Sequence, residues 1–150
     1  WQLTPSIGSE YDRTALIHGL SEGTITAIAV NGIPMDEEAS QLPTGQRKPG
    51  ITGHHLVIST LWQELIIKNG WSIEQLWQVL SFGPSRMLKL KEEKLEAGSR
   101  RWLIFDPKKS WTQQKNNDKS PNAANQPWEG KAITGKVVDS GLTNQVNQDG

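Results

Sequence analysis

The chain has 150 residues, with 16 basic and 16 acidic side chains and no cysteine. Balanced charge argues against a nucleic-acid partner, because no basic excess is available to displace counterions from phosphates. No apolar run approaches the roughly 20 residues of a membrane span, and zero cysteines exclude disulfides and thiolate chemistry. We therefore expect a cytoplasmic protein that binds neither membrane nor nucleic acid. The first residue is Trp1 rather than Met, so we also expect a chain that starts within a longer protein.

The first predicted elements are a helix and a buried strand. Ser9 and Asp12 have the spacing of a capping box, Leu16 lies on an apolar face, and Gly23 stands where a helix that begins there would end. The segment Thr24–Val30 follows directly and is apolar at nearly every position. Continuous apolarity is typical of a strand covered on both faces in a parallel sheet. Such a strand cannot form a sheet alone, so its neighbours must come from elsewhere.

Three more helices are predicted after a polar loop over residues 35–51. The second helix covers about 54–69, because its apolar residues recur along one helical stripe. The third begins at Ser72, and the fourth runs from Gly83-Pro84 to about residue 90.

The sequence changes character from residue 95. A strand is predicted over 101–105, closed by Asp106-Pro107, and a second over 132–138. The polar residues 108–125 between them predict a flexible, exposed loop. The fold class is therefore α/β, with residues 1–94 as one part and residues 95–150 as a β-rich segment.

Seven motifs stand in a recognisable order and spacing. They read Ser-Glu-Tyr-Asp-Arg-Thr-Ala-Leu at 9–16, Glu-Gly-Thr-Ile-Thr-Ala-Ile-Ala at 22–29, Pro-Gly-Ile-Thr-Gly at 49–53, Gly-Pro-Ser-Arg-Met-Leu at 83–88, Leu-Ile-Phe-Asp-Pro at 103–107, Asn-Gln-Pro at 125–127 and Gly-Lys-Val at 135–137. Together they resemble the C-terminal third of the dihydroorotases, a branch of the metal-dependent amidohydrolases. The resemblance implies the C-terminal portion of a (β/α)8 TIM barrel with a small β-rich appendage, incomplete as a stand-alone barrel. Thr24–Val30 would be the last barrel strand, whose C-terminal end faces the active site.

The loop after that strand departs from the family pattern. In dihydroorotases it reads Thr-Asp-His-Ala-Pro-His, and the Asp binds the catalytic metal and takes a proton from the attacking water. Here Asn31 stands at the Asp position, Gly32 at the first His and Met35 at the last, while Pro34 is retained. An amide cannot act as a base or supply anionic charge to zinc, and Met35 offers no donor to a substrate carboxylate. A compatible structural interpretation is that Asn31 takes a left-handed turn before Gly32.

The resemblance implies a second contact with substrate. Pro49 and Gly50 open the Pro-Gly-x-x-Gly loop, which in the family helps to hold the substrate through its backbone. We therefore assign Asn31 to the altered catalytic position, and Met35, Pro49 and Gly50 to substrate-binding positions. No metal ligand is assigned.

The resemblance also implies a function. Dihydroorotases interconvert dihydroorotate and N-carbamoyl-L-aspartate in pyrimidine synthesis, and zinc lowers the pKa of the bound water. With this loop we expect the chain to bind no zinc and to be inactive alone, so whether the full protein is an enzyme stays open. The alternative is a non-catalytic homologue, a pseudoenzyme that supports aspartate transcarbamoylase structurally. A small binding module is a third possibility, and a homo-oligomer is expected.

Other candidate sites are weaker. His54 and His55 are adjacent at a helix start, where side chains point about 100° apart and do not suit a zinc pair. Asp36 begins an acidic run that favours a helix N-terminus over paired-carboxylate catalysis. Trp62 and Trp77 lie on apolar stripes, which favours core packing over stacking on a sugar or a base.

Overall fold

The computed structural model describes residues 3–91, 94–114 and 123–141. Two compact units are interleaved along the sequence. Unit 1 comprises Trp1–Ile25, Ala29–Val57 and Trp111–Ile133, and unit 2 comprises Thr26–Ile28, Ile58–Ser110 and Thr134–Gly150. The predicted division between residues 94 and 95 stays a prediction. No helix in the described part of the chain is long and apolar enough to cross a membrane.

Helix α1 spans Glu10–Ser21 in unit 1 and begins at the predicted capping box. The Asp12 N–H donates to Ser9 Oγ at 3.3 Å, and the Ser9 N–H donates to the Asp12 carboxylate at 2.7 Å. Hydrogen bonds from the Ser9 hydroxyl and backbone lower the pKa of the Asp12 carboxyl from its ordinary value. No residue of α1 is buried, and Leu16 on its predicted apolar face is 57% exposed.

The predicted polar loop of unit 1 contains two short helical turns. Helix α2 spans Glu37–Gln41, and Asp36 caps it by accepting the Ala39 N–H at 2.7 Å. A 3-10 turn follows at Thr44–Gln46. The acidic run therefore begins a helical turn, as predicted.

The predicted second helix is confirmed, although its pitch changes along its length. A 3-10 turn at His54–Leu56 leads into α3, Val57–Leu61, which continues as a π-helix over Trp62–Lys68. Leu65 is only 2% exposed on the buried side of this run.

The predicted third and fourth helices form one continuous run in unit 2. Helix α4, Ile73–Trp77, passes through a π-helix at Gln78–Phe82 into α5, Gly83–Met87. The predicted helix start at Gly83 is confirmed, but the third and fourth helices are continuous rather than separate. A proline ring in an α-helix clashes with the carbonyl four residues earlier, and the wider π turn before Pro84 relieves that clash.

The segment before Val30 packs closely on this helical run. The Ile28 N–H donates to the Val79 carbonyl at 3.0 Å. A Cβ added at Gly83 would lie 2.0 Å from the Thr26 carbonyl oxygen, so only glycine permits this approach. In the described part of unit 2, the buried hydrophobic side chains are Leu65, Trp71, Leu76 and Val79.

The predicted strand Thr24–Val30 is not a strand in the described structure. The sheet there has two strands only, β1 at Leu103–Thr112 and β2 at Ala132–Ser140. A strand is defined by its ladder, and no described segment pairs with residues 24–30.

Both strands of the sheet are longer than predicted. β1 continues through Pro107, which a two-stranded sheet tolerates because each strand has a free edge. The predicted loop over 108–125 is consequently shorter, and its residues 115–122 lie outside the described residues. Gly135 of β2, at φ 95°, faces Phe105, whose ring centroid lies 5.0 Å from that of Trp62. Trp62 and Trp77 are half-buried and line an apolar cleft, consistent with core packing.

We expect Leu76→Ala to lower the free energy of unfolding by about 2–5 kcal/mol, because Leu76 is fully buried and truncation leaves a cavity. Leu95→Ala is the matched control, because Leu95 is 83% exposed and should change stability by less than about 0.5 kcal/mol. Urea denaturation measures both. Equal effects of the two substitutions would contradict the described core of unit 2.

Candidate functional site

Three segments of unit 1 meet at the side chain of Asn125. Its Oδ1 accepts the Met35 N–H at 2.9 Å, and its Nδ2 donates to the Ile33 carbonyl at 2.7 Å. The Asn125 carbonyl accepts the Thr52 N–H at 3.3 Å. Asn125 is only 3% exposed, and its two side-chain bonds are part-buried. The side-chain amide therefore fixes the loop 31–35, and the backbone carbonyl bonds the same residue to the Pro-Gly loop.

The Pro-Gly loop also contacts the altered loop directly. The Ile33 N–H donates to the Ile51 carbonyl at 2.9 Å. A Cβ added at Gly50 would lie 2.8 Å from the Ile33 Cβ and 3.0 Å from the Ile33 carbonyl oxygen. Glycine at position 50 is therefore required by the close approach of two backbones.

The tip of the loop carries an imidazole from another segment. The Gly32 N–H points to His54 Nε2 at 3.4 Å. A Cβ added at Gly32 would lie 2.4 Å from His54 Cε1 and 2.5 Å from its Nδ1. The His54 ring thus occupies the place where a side chain at position 32 would begin. No local pattern in the sequence predicts this role of His54, because the two residues are 22 positions apart.

His55 belongs to a different network. Its Nε2 lies 2.9 Å from Gln113 Oε1, and Gln113 Nε2 donates to Gln126 Oε1 at 2.8 Å. Because the Gln113 oxygen is then an acceptor, a neutral His55 carries its proton on Nε2. The two adjacent histidines therefore have separate partners, as expected for neighbouring residues at a helix start. His55 is half-buried against Trp111, whereas His54 is exposed.

The structure brings together some of the predicted site residues. Met35 and Gly50 line one open cavity of about 520 Å³, with Asn125 in its wall. Pro49 lines a neighbouring cavity of about 560 Å³. Asn31 is exposed and lines neither. The roles assigned to these four residues stay predictions.

A zinc ion does not fit the residues present at the loop tip. Asn31 supplies a neutral amide, Gly32 no side chain and Met35 a thioether, whereas zinc in proteins prefers imidazole, thiolate and carboxylate ligands. His54 is the nearest imidazole described, and one nitrogen ligand does not make a site. No group of three or more His, Cys, Asp or Glu side chains in the described ranges could hold a metal ion.

The fold has a counterpart among solved structures. A D-hydantoinase (dihydropyrimidinase) from Thermus sp. matches 91% of this chain and 31% of its own chain, with a TM-score of 0.71 and 18% sequence identity. The described structure is therefore a mixed α/β chain that matches part of an amidohydrolase TIM-barrel fold. No protein-family model matches the sequence.

Two proteins are similar to this chain in sequence, and both are described as dihydroorotases or dihydroorotase-like. A protein of Synechocystis sp., described as "Probable dihydroorotase-like protein", is 38% identical over 134 residues, which cover 89% of this chain and 29% of that protein. The dihydroorotase of Clostridioides difficile is 31% identical over 137 residues, which cover 91% of this chain and 32% of the enzyme. The chain is thus a relative of the dihydroorotases and other cyclic amidohydrolases, and it spans about 30% of the length of these relatives.

We expect Asn125→Ala to lower the free energy of unfolding by about 1–3 kcal/mol, because it leaves the Met35 N–H and Ile33 carbonyl without their partner. Asn69→Ala is the control, since the Asn69 amide also donates to a carbonyl, that of Glu64, but is exposed to water. Its loss should be below about 1 kcal/mol. A smaller effect at Asn125 than at Asn69, in denaturant titrations, would contradict the role of Asn125.

We expect Gly32→Ala to destabilise the chain mainly through a clash with the His54 ring. In a double-mutant cycle with His54→Ala, the coupling energy should be about 0.5–1 kcal/mol. Gly45→Ala is the control, because a Cβ at Gly45 meets nothing within 4 Å and should not couple to His54. A coupling of zero between positions 32 and 54 would refute this placement of the ring.

Proposed function

We propose that this chain is the C-terminal part of a dihydroorotase-like protein of de novo pyrimidine biosynthesis, and that it does not hydrolyse dihydroorotate by itself. The family reaction adds water to dihydroorotate and yields N-carbamoyl-L-aspartate, with zinc in the active site. The relation to the dihydroorotases supports the family part of this proposal. The described loop tip supports the second part, because residues 31–35 offer no carboxylate that could bind a metal ion or accept a proton.

The observation that carries the proposal is a contrast within the loop 31–35. Its backbone is held by hydrogen bonds, whereas its side chains are not those of the family pattern. The Asn125 bonds to Met35 and Ile33 hold the loop in one conformation, and the Pro-Gly loop is bonded to it at Ile33. The tip residues themselves have lost the carboxylate and both imidazoles that the family pattern places there. The bonds that hold the loop are therefore present, while the Asn31 amide stands where the family pattern has the carboxylate that binds the metal and accepts a proton.

Exposed apolar side chains on α1 support a role within a larger fold. Tyr11 is 82% exposed and Leu16 is 57% exposed, although the sequence pattern of α1 has an apolar face. The D-hydantoinase chain that matches this fold is about three times longer, since the match covers 31% of it. In this proposal the remaining part of such a fold covers α1, and it supplies the neighbours that residues 24–30 need to form a barrel strand.

A second candidate function is a scaffold without catalysis. The replacement of the catalytic Asp by Asn31, together with Met35 at a histidine position, favours it. In that case the full protein would support aspartate transcarbamoylase, and dihydroorotate would not be turned over. Size-exclusion chromatography with aspartate transcarbamoylase tests this candidate, and separate elution at micromolar concentrations would reject it.

Transplanting the loop tip tests the main proposal. In an active dihydroorotase whose loop reads Thr-Asp-His-Ala-Pro-His, replacing the Asp by Asn should lower kcat for dihydroorotate hydrolysis by about 10²–10⁴-fold, because the proton acceptor is lost. Replacing only the first His by Gly is the matched control for Gly32 and should cost less, since the Asp is kept. Full activity in the Asn variant would overturn the claim that Asn31 abolishes hydrolysis.

A further inference from the structure

We propose that Asn31 is a site of deamidation, at which Gly32 supplies the attacking backbone nitrogen and His54 accepts its proton. An asparagine reacts most readily when glycine follows it, because glycine has no Cβ to hinder the approach of its backbone nitrogen to the preceding amide. The chain contains two such dipeptides, Asn31-Gly32 and Asn69-Gly70. Their surroundings differ, and the difference favours reaction at the first.

The Asn31 side chain is accessible and is not held in place. It is exposed to solvent, and neither it nor Gly32 lies in a helix or a strand. Among the residues that the structure describes, no hydrogen bond holds the Asn31 amide, and the bonds that anchor the loop begin at Ile33. The Asn31 amide can therefore rotate toward the backbone nitrogen that follows it, and water can reach the product.

The imidazole of His54 is placed to accept the proton that Gly32 must lose. The Gly32 N–H points to His54 Nε2 at 3.4 Å, so this nitrogen presents its lone pair to the reacting group. The His54 ring also lies where a Cβ at position 32 would stand. Only glycine at this position therefore leaves the nucleophile and the base side by side.

The second dipeptide is held by hydrogen bonds. The Gly70 N–H donates to the Ile66 carbonyl at 3.1 Å, and the Asn69 side-chain nitrogen donates to the Glu64 carbonyl at 2.6 Å. Both bonds must break before the Gly70 nitrogen can attack the Asn69 amide. A carbonyl oxygen is also a much weaker base than an imidazole. Asn69 is exposed as well, so accessibility alone does not separate the two sites.

The reaction balances with water as its co-reactant. The Gly32 nitrogen gives its proton to His54 and forms a bond to the side-chain carbonyl carbon of Asn31. The bond from that carbon to the amide nitrogen breaks, the imidazolium returns the proton, and ammonia leaves behind a five-membered succinimide. Water then adds to either ring carbonyl and opens the ring, which yields aspartate or isoaspartate. One water is consumed and one ammonia is released.

The product changes the charge of the loop tip. A neutral amide becomes a carboxylate, and aspartate at position 31 is the residue that the dihydroorotase pattern has there. The reaction does not rest on the proposed function, because it needs only the exposed Asn31, Gly32 and the His54 ring. Its consequence does rest on that function: the chain would acquire after synthesis the carboxylate that its sequence lacks at this position.

Peptide mass spectrometry of the folded 150-residue chain tests the proposal, after timed incubation at neutral pH and digestion with trypsin. The tryptic peptides 14–47 and 69–86 carry the two dipeptides, so both sites are followed in one sample. We expect Asn31 to be converted at least about tenfold faster than Asn69, because two hydrogen bonds protect the latter. An isoaspartate methyltransferase should label the peptide 14–47, since the succinimide route yields isoaspartate and direct hydrolysis of the amide does not.

His54→Gln should slow the conversion of Asn31 by about tenfold or more, because a glutamine amide accepts a hydrogen bond but does not take up a proton. His18→Gln is the matched control, since it removes an exposed imidazole from α1, and it should leave both rates unchanged. In urea the rates at Asn31 and Asn69 should become similar, so a variant that unfolds is recognised by its faster reaction at Asn69.

Four outcomes would each overturn the proposal. They are no conversion of Asn31, similar rates at Asn31 and Asn69 in the folded chain, aspartate without isoaspartate, and equal effects of His54→Gln and His18→Gln. None of these readouts measures dihydroorotate turnover, so failure of this proposal is distinguished from failure of the proposed function.

Discussion

The side-chain amide of Asn125 is the interaction on which the candidate site depends. The amide oxygen accepts the Met35 N–H, and the amide nitrogen donates to the Ile33 carbonyl. The backbone carbonyl of Asn125 accepts the Thr52 N–H. A buried polar group is stabilising only when its hydrogen bonds are made, and here one residue makes hydrogen bonds to two loops. It acts together with the direct bond from the Ile33 N–H to the Ile51 carbonyl, which also joins the loop that begins at Asn31 to the Pro-Gly loop.

The site separates positioning from chemistry. Its frame is held by backbone hydrogen bonds and by glycines that permit close approach, at positions 32 and 50. Such a frame does not depend on which side chains stand at the tip, so it can survive the loss of a metal ligand. The His54 ring fills the space that a side chain at position 32 would take. The loop therefore stays packed although Gly32 has no side chain. Under the proposed function, such a loop would be retained for binding or assembly rather than for catalysis.

Local signals predicted much of the fold. The capping boxes at Ser9 and Ser72 predicted the starts of α1 and α4, because a capping box is a pair of hydrogen bonds between residues three positions apart. The length of each strand and its pairing partner were harder to predict, since both depend on segments that are distant in sequence. Residues 24–30 have the composition of a strand but pair with no described segment, and β1 passes through Pro107 because its edge is free. The positions of Met35 and Gly50 were assigned from motifs. The place of Arg47 in the cavity wall and the contact of His54 with Gly32 are visible only in the structure, because they join loops that are distant in sequence.

The most direct measurement of the central claim is the zinc content of the purified 150-residue chain, determined with its dihydroorotate turnover after incubation with zinc. The loop tip offers an amide, a glycine and a thioether, so we predict no stoichiometric zinc after dialysis and no turnover above the uncatalysed rate. One equivalent of retained zinc, together with turnover that a chelator abolishes, would contradict the account.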